Sequence, residues 1–309
     1  MNISVIIPTY NYGAYIGRAI TSVLEQGYTA GSIEILVIDD GSTDDTPAVI
    51  KRWQQCYAGI QYHRQPNAGK AVATQRGMAL ASGEVLFTLD ADDWWLPGKI
   101  AATVAILQQH PRVVHVASPA RIEWADGHRP PVAEPINPQQ LGKPLDGASL
   151  LYRFYRRNLL FGGGSTFACR ASVAKAMYWH PHIDMYTDEW LVIQALLAGN
   201  SYFLPTPHSV WWVHQRNYSG AGGEALPVKL ARLQQSSEAV LNALQHTGAP
   251  SWLQQAYALK HEVRLQAWHE LRGTKTMQHR WQLLSRYLLS PLYSPRMLWA
   301  YRAYMRLFR

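Results

Sequence analysis

Residues 85–94 read VLFTLDADDW: an apolar, strand-like run is followed at once by three carboxylates, Asp90, Asp92 and Asp93. Carboxylates this close together repel one another unless positive charge joins them. A divalent cation that also binds a diphosphate is one source of that charge. A polar turn at the end of a strand is the simpler alternative, because aspartate is common in turns. The stretch therefore predicts a buried strand followed by an acidic loop, and the loop is a candidate metal-nucleotide site.

The residues on either side of this stretch alternate short β-rich runs with helical patterns. Strands are predicted at residues 3–7, 33–38, 61–64 and 85–89, and helices around residues 16–24, 46–57 and 71–81. Thr46 and Pro47 fit the N-cap and first turn of the second helix, and Gly83 fits the end of the third. This order predicts a mostly parallel sheet flanked by helices, with acidic residues at the carboxyl ends of two strands. Open α/β sheets bind ligands at that edge.

A dinucleotide-binding domain is the first alternative for such a sheet. It requires a glycine-rich turn after the first strand, so that the backbone can approach a pyrophosphate. Here the turn at residues 8–13 reads PTYNYG, and the glycines at 162–164 come far too late and with the wrong spacing. We therefore exclude the dehydrogenase interpretation.

Composition indicates a folded protein in a reducing compartment. The chain has 309 residues, of which 48% are hydrophobic, enough for a full core. Two cysteines, Cys56 and Cys169, provide neither a disulfide framework nor a zinc-binding spacing. The opening MNISVIIPTY lacks the pattern of a signal peptide, and no uncharged run reaches membrane-spanning length. The expected location is the cytoplasm.

Four segments together resemble glycosyltransferase family 2 in order and spacing. They are SVIIPTYN (4–11), EILVIDDGSTDDT (34–46), NAGKAVATQRGMALASGE (67–84) and LDADD (89–93). The combination covers residues 1–95 densely and is more specific than any single motif. The resemblance implies a GT-A fold, which is Rossmann-like, and inverting transfer of a sugar from a nucleotide diphosphate.

The resemblance also assigns residues to the donor. It implies that Pro8, Thr9 and Tyr10 surround the nucleobase, with Asp40 accepting a hydrogen bond from it and Asp39 alongside. Each assignment has a simpler alternative. Tyr10 could be a half-buried aromatic residue of a loop, and Lys70 could be a solvated side chain. The glycines at 162–164 could form a mobile loop. The remaining residues that the resemblance assigns to the nucleotide-sugar are Gly41, Ser42, Asn67, Gly69, Lys70, Asp90, Ala91, Gly163 and Gly164.

The same resemblance implies a cation. Asp92 matches the ligand of Mn²⁺ or Mg²⁺, Asp93 binds through water or orients its neighbour, and His214 completes the metal shell. A single histidine is as well explained by a structural role. Trp212 occupies the position where the family often has an arginine. Arg216 could take the place of that arginine, and the resemblance puts it on the acceptor side.

An inverting transfer needs a base that takes the proton of the acceptor hydroxyl. The family usually has Glu-Asp followed by an aromatic residue, whereas this chain has Asp188-Glu189-Trp190. Alignment slightly favours Glu189 as the base and puts Trp190 on the acceptor side, but the longer side chain of Glu189 keeps Asp188 open. Stabilisation of a helix dipole is the alternative for both carboxylates.

The chain divides into a predicted catalytic domain at 1–223, with a donor half at 1–95 and an acceptor half at 96–223, and a helical extension at 224–309. Residues 120–147 are expected to be an irregular excursion, and helices are predicted at 226–244 and 252–271. The formal charge of +8 is concentrated after Thr274, where no Asp or Glu occurs. The basic residues of this tail are Lys275, Arg280, Arg286, Arg296, Arg302, Arg306 and Arg309.

Two interpretations of the tail stay open. A helix opened by Pro295 would separate arginines from aromatic residues, as in helices that lie on anionic membranes. Such a helix could equally dock its apolar side on the catalytic domain. Binding to the inner face of the cytoplasmic membrane would suit a lipid-linked acceptor, whereas no recognition motif supports nucleic acid as a partner.

The sequence thus predicts a metal-dependent inverting glycosyltransferase. A UDP-sugar is the expected donor, and a glycan or lipid-linked hydroxyl in envelope polysaccharide, lipopolysaccharide or glycolipid synthesis is the expected acceptor. A sugar nucleotidyltransferase would need a glycine-rich, basic triphosphate loop, which the sequence lacks near its start. A non-catalytic glycan-binding relative would have no need of carboxylates at every expected position.

Overall fold

The computed structural model describes residues 1–134, 136, 138–157, 163–217 and 226–271, together with Met277, Trp281 and Ser285. The helix predicted from Pro295, the basic residues of the tail and the first glycine of the 162–164 run lie outside the described residues. None of the described helices combines the length and the apolar character that crossing a bilayer requires.

The described residues form twelve strands and nine α-helices. The strands are β1 (Ile3–Thr9), β2 (Ile33–Asp39), β3 (Ile60–Arg64), β4 (Val85–Thr88), β5 (Trp94–Trp95), β6 (Val113–Ala117), β7 (Ala120–Trp124), β8 (Val132–Ala133), β9 (Pro144–Leu145), β10 (Ala168–Arg170), β11 (Asn200–Phe203) and β12 (Ser209–Val213). The helices are α1 (Gly13–Leu24), α2 (Thr46–Cys56), α3 (Lys70–Leu80), α4 (Lys99–Gln109), α5 (Gly147–Arg157), α6 (Ala171–Ala176), α7 (Thr187–Ala198), α8 (Leu226–His246) and α9 (Ser251–Leu271).

The large sheet has eight strands in the order β3-β2-β1-β4-β10-β6-β11-β9. Its first four strands pair in parallel, as the alternating pattern of the sequence predicts. Strand β10 is antiparallel to both of its neighbours, and β11 returns parallel to β6. The prediction of a mostly parallel sheet flanked by helices is therefore confirmed, and the carboxyl ends of β1, β2 and β4 meet at one edge.

The sheet separates two hydrophobic cores. Successive residues of a strand point to opposite faces, so Ile7 packs in the core that contains α1, whereas Ile6 packs in the core that contains α3 and α7. Buried residues of α8 and α9, such as Leu244 and Leu253, belong to this second core. The C-terminal helices therefore pack on the same core as the helix that presents the candidate base.

A second sheet of four strands, in the order β5-β12-β7-β8, lies beyond the acidic loop. Here β12 pairs in parallel with β7 and antiparallel with β5. The expectation of an irregular excursion at 120–147 is wrong in this part, because residues 120–124 form a strand. It pairs with the nearby β8, but its parallel partner β12 begins at residue 209, so local pattern could not reveal the parallel pairing.

Two local predictions also need correction. Helix α2 begins at Thr46 itself, and the carboxylate of Asp44 accepts the backbone N–H of Thr46 at 3.0 Å, so Thr46 is not the cap. Helix α3 ends at Leu80, two residues before the turn that contains Gly83. A Cβ at Gly83 would lie 2.7 Å from the backbone nitrogen of Ser4. Close approach to β1, rather than helix termination, therefore requires this glycine.

Candidate active site

A cleft of about 760 Å³ opens at the carboxyl ends of β1, β2 and β4. This volume lies within the usual range of small-molecule sites. Residues of the β1 end, the 67–70 loop, the acidic loop, the 163–166 turn and α7 all line the cleft. The topology thus brings together segments that are far apart in the sequence.

The acidic loop follows β4 directly, and its three carboxylates have different surroundings. Asp93 is buried and accepts hydrogen bonds from Ser165 Oγ at 2.5 Å and from the Trp212 backbone nitrogen at 3.0 Å. Its burial and the nearby charges of Asp92 and Asp90 raise its pKa well above the usual range. Asp93 therefore ties the loop to the segments behind it.

Asp90 is held by a lysine at the start of α3. The Nζ atom of Lys70 lies 2.8 Å from Asp90 Oδ1 and 3.0 Å from Asp188 Oδ1, so it bridges the acidic loop and α7. Burial raises the pKa of Asp90 to about 6, although Lys70 opposes the shift. Burial alone would lower the pKa of Lys70, but Asp188 and Asp90 outweigh it and raise that pKa. Lys70 thus stays charged between two carboxylates.

Asp92, the second carboxylate of the acidic loop, contacts the turn at 214–217. Its Oδ2 accepts a hydrogen bond from Asn217 Nδ2 at 3.0 Å and lies 3.1 Å from His214 Nε2. The backbone N–H of Arg216 donates to His214 Nδ1 at 3.1 Å, so in a neutral ring the proton is on Nε2 and points at Asp92. Metal ligation by Nε2 would require the opposite tautomer, which would place two N–H groups against each other.

The loop at 67–70 lines the cleft beside Asp40, where the resemblance predicts contacts with the nucleotide-sugar. Asp40 accepts hydrogen bonds from Gln65 Nε2 at 2.8 Å and from the backbone nitrogens of Ala68 and Gly69 at 2.9 and 2.8 Å. Burial raises the pKa of Asp40 despite these bonds. Tyr10 lines the cleft and is 42% exposed, which leaves its ring free to contact a ligand.

Not all of the predicted donor residues line this cleft. Pro8, Thr9, Asn67 and Ala91 do. Asp39 lies behind the wall, where it accepts hydrogen bonds from Ser42 N at 2.7 Å and Tyr62 Oη at 2.5 Å. Ser42 is buried beside it, and Gly41 adopts a φ of +83° in the turn that joins them. These three residues shape the loop and do not face the cleft.

Gly163 and Gly164 form the floor beside Asp188. A Cβ at Gly163 would lie 2.8 Å from Asp188 Cβ, and Gly164 adopts a φ of +52°. Beneath them Lys99 is buried and donates to Ser165 O at 3.0 Å, Thr166 O at 3.2 Å and Ser209 Oγ at 2.9 Å. The lysine therefore fixes the floor from behind, a role that its place in an ordinary helical pattern did not indicate.

Helix α7 directs Asp188 and Glu189 to different places. The Asp188 side chain is 45% exposed and lines the cleft. Glu189 is turned into the core, where Lys260 Nζ lies at 2.6 Å and Arg264 Nη2 at 2.8 Å. Trp190 is 1% exposed and donates to Tyr178 O at 2.7 Å, so it is a core residue. The buried location of Glu189 does not fit the slight preference for this residue as the base. The buried location of Trp190 does not fit its predicted place on the acceptor side.

Comparison with known proteins agrees with the motifs. Residues 4–177 match the model of Glycosyl transferase family 2, which is more than half of the chain. The chain belongs to glycosyltransferase family 2.

Relatives in this family match roughly a third of this chain. An uncharacterized glycosyltransferase of Nostoc sp., alr2836, is 48% identical over 109 residues, which is 35% of this chain and 33% of the relative. YibD of Escherichia coli K12, also uncharacterized, is 40% identical over 91 residues, 29% of this chain and 26% of the relative. The chain spans about a third of the length of the curated relatives it matches.

Solved structures share the fold at low identity. S. aureus TarS 1-349, solved in complex with UDP-GlcNAc, superimposes with a TM-score of 0.63 and 15% identity, over 93% of this chain and 80% of TarS. The mannosyltransferase PcManGT from Pyrobaculum calidifontis, solved with GDP-Man and Mn²⁺, gives a TM-score of 0.57 and 18% identity, over 99% of this chain and 85% of the other. These likenesses confirm the GT-A fold.

This family 2 chain also lines its cleft with residues that the motifs did not indicate. Asp184 accepts the backbone N–H of Lys70 at 2.9 Å and pairs with Arg232 of α8. Ser236, also on α8, and Trp211 and Glu134 of the small-sheet region line the cleft as well. Arg216 is exposed, and its carbonyl oxygen accepts the Tyr12 hydroxyl at 2.8 Å. No sequence motif joins Asp184, Arg232, Ser236, Trp211 and Glu134, because they meet only through tertiary packing.

Proposed function

We propose that this chain transfers a sugar from a nucleotide diphosphate to a hydroxyl acceptor with inversion at the anomeric carbon. The observation that carries the proposal is the Lys70 bridge, which holds Asp90 of the acidic loop and Asp188 of α7 on one cleft. A donor bound against the acidic loop would lie beside a carboxylate able to take a proton from an acceptor.

The proposed donor site follows the cleft from Tyr10 to Gly164. Tyr10 and Asp40 would contact the nucleobase, and Asp90 the ribose. Gly163 and Gly164 would let the sugar ring approach the backbone, because side chains there would collide with Asp188. We propose a UDP-sugar as the donor. TarS was solved with UDP-GlcNAc and PcManGT with GDP-Man, so the fold alone does not select the nucleotide.

Asp92 is the proposed ligand of Mn²⁺ or Mg²⁺. Its oxygens suit these cations, and two further carboxylates, Asp90 and Asp93, lie in the same loop and line the same cleft. Among the described residues, no group of three or more His, Cys, Asp and Glu side chains is arranged to hold a metal. Such cations often use one or two carboxylates, with substrate phosphates as further ligands. The cation would neutralise charge on the departing diphosphate.

His214 then has a different proposed role. Its Nε2 proton points at Asp92, so we propose that His214 and Asn217 orient the carboxylate. Partners of this kind fix the geometry of metal ligands and are often as necessary as the ligands themselves.

Asp188 is the proposed base. As the acceptor oxygen attacks the anomeric carbon, its proton passes to an Asp188 oxygen, and the bond from that carbon to the diphosphate breaks. Lys70 Nζ lies 3.0 Å from Asp188 Oδ1, so its ammonium group holds the carboxylate at the cleft. Glu189 is unsuited, because its oxygens already bind Lys260 and Arg264.

Calorimetry with UDP, GDP, TDP and CMP, each with and without Mn²⁺, tests the donor and metal assignments. We expect one nucleoside diphosphate to bind in a Mn²⁺-dependent way to the wild type, and Asp92→Ala to lose that dependence. Binding that is independent of Mn²⁺, or unchanged in Asp92→Ala, would refute the metal site. Turnover of a nucleoside triphosphate with a sugar phosphate would instead favour a nucleotidyltransferase.

The proposed acceptor is a glycan or lipid-linked hydroxyl of the cell envelope, and the proposed location is the inner face of the cytoplasmic membrane. The basic, aromatic tail supports both proposals. Removing the residues after Ser290 should abolish sedimentation with anionic vesicles and leave nucleotide affinity intact. Unchanged sedimentation would refute membrane binding by the tail.

A further inference from the structure

One face of the small sheet forms part of the cleft wall. Alternate residues of a strand share a face, so Ser209 and Trp211 of β12 point to the cleft side, and both line it. Trp212 points to the other side, where its ring lies 5.5 Å from that of Trp94 and the Arg18 guanidinium stacks on both. The two adjacent tryptophans therefore have different surroundings, and within the described part of the chain only Trp212 is packed against other rings.

Trp211 is 44% exposed although it lines a concave cleft. A tryptophan contributes a large apolar surface, and leaving it in water forgoes the favourable free energy of its burial. Carboxylates such as Asp92 and Asp188 line the same cleft. An aromatic surface among polar groups is the composition of a site for a ligand that is itself part apolar and part polar.

Glu134 provides a polar group on the same wall. Its Oε2 accepts the Ala120 N–H at 3.1 Å, which places Glu134 on the β8 side of β7. On the other side of β7, Ala120 pairs with Ser209 of β12, so Trp211 lies one strand across from Ala120 and two residues further along. Both Glu134 and Trp211 line the cleft. Among the described residues, this is the one hydrogen bond that its carboxylate receives. Burial raises the pKa of Glu134. The carboxylate thus has remaining acceptor capacity on the cleft side.

We propose that Trp211 and Glu134 form a subsite for a pyranose ring of the acceptor. This proposal rests on the proposed function. A pyranose presents C–H groups on one face, which suit an aromatic ring, and hydroxyl groups at its edge, which donate to a carboxylate. Glu134 and the nearby acidic loop would repel a second anionic group, so the ligand there is a neutral sugar rather than a phosphate.

We assign the acceptor, rather than the donor sugar, to this subsite because of the order in which residues line the cleft. The proposed donor floor is at Gly163 and Gly164, next to Asp188. The small sheet continues beyond that floor, where Ser209 Oγ donates to Ser165 O at 2.8 Å. Trp211 is two residues further along β12 than Ser209, so a ring on Trp211 would lie past the proposed donor floor.

Saturation-transfer NMR on the full chain with UDP and Mn²⁺ tests the subsite. The probes are methyl β-D-glucopyranoside, methyl β-D-galactopyranoside and methyl N-acetyl-β-D-glucosaminide. We expect at least one probe to bind, Trp211→Ala to weaken it about tenfold, and Trp211→Tyr to retain most of the affinity. Glu134→Gln should also weaken binding. The matched control is Trp281→Ala, because Trp281 is 64% exposed and does not line the cleft.

Three results would overturn the subsite. They are binding of none of the probes to the wild type, an affinity in Trp211→Ala within twofold of wild type, and an equal loss in Trp281→Ala. A Trp211→Ala variant that binds UDP normally but loses affinity for UDP-glucose or UDP-GlcNAc would place the donor sugar there instead, which also contradicts the proposal. If the wild type fails to bind any nucleoside diphosphate, the proposed function itself fails, and this separates the two outcomes.

Discussion

Two adjacent residues in the first turn of α7 lie in opposite electrostatic environments. Glu189 is one carboxylate among two cations, with Lys260 Nζ at 2.6 Å, Arg264 Nη2 at 2.8 Å and the Tyr155 hydroxyl at 2.8 Å. Asp188 faces the cleft with the carboxylates of the acidic loop, and Lys70 is shared between it and Asp90. One cluster has more positive than negative charge, and the other has the reverse.

The pKa shifts follow this difference. Burial alone would raise the pKa of Glu189, but Lys260 and Arg264 outweigh it and lower the pKa to about 2. Burial raises the pKa of Asp90 to about 6, and the nearby Asp188 and Asp92 add to that shift. The chain thus compensates the negative charge of Glu189 with its own residues. In the cleft the balance is left open, as expected of a site whose partner is a ligand.

The largest effect should come from Asp188→Asn. Without the proposed base, we expect kcat for sugar transfer or donor hydrolysis to fall about 10²- to 10⁴-fold. Nucleotide affinity should change far less, because the acidic loop is intact. Steady-state kinetics with sugar donors of the nucleotide that calorimetry identifies would measure both. A kcat within fivefold of wild type would show that Asp188 is not the base.

Glu189→Gln should instead act on stability. The substitution leaves Lys260 and Arg264 buried without their carboxylate, which typically costs about 3–5 kcal/mol. Chemical denaturation would measure the loss, and Asp188→Asn in the same helical turn is the matched control, with an expected change below about 1 kcal/mol. Equal losses in the two variants would remove the distinction between the clusters.

The Glu189 effect should depend on pH. The folded pKa of about 2 lies below the usual 4.5, so the stabilisation is present above about pH 4.5 and is lost as the pH falls towards 2. The difference in unfolding free energy between wild type and Glu189→Gln should therefore shrink by roughly 3 kcal/mol between pH 5 and pH 2. A constant difference across this range would contradict the ion-pair assignment.

A smaller effect is expected from Asn217→Ala on the cleft side. Asn217 Nδ2 donates to Asp92 Oδ2 at 3.0 Å, so its loss should leave the proposed metal ligand poorly oriented. We expect Mn²⁺-dependent nucleotide affinity to fall about tenfold, as is typical for partners of metal ligands. Calorimetry with and without Mn²⁺ would measure it. A loss that is equal without Mn²⁺ would point to a general disturbance of the turn.

The sequence predicted the large sheet and the position of the acidic loop because both depend on local pattern. The strand-helix alternation is visible in residues 1–95, and Asp90 follows its strand directly. The environment of Glu189 could not be predicted, because Lys260 and Arg264 come from a helix some 70 residues later. The small sheet could not be predicted for a similar reason, because the parallel partner of β7 is a strand that begins at Ser209.

The central claim is that a bound cation balances the negative charge of the cleft. Anomalous diffraction from crystals soaked with Mn²⁺ and UDP tests this claim most directly. We predict an anomalous peak at coordination distance from the Asp92 carboxylate, beside the diphosphate of a bound UDP, and no peak near Glu189. UDP bound in the cleft without a manganese peak, or a peak elsewhere with Asp92 turned to bulk water, would contradict the account.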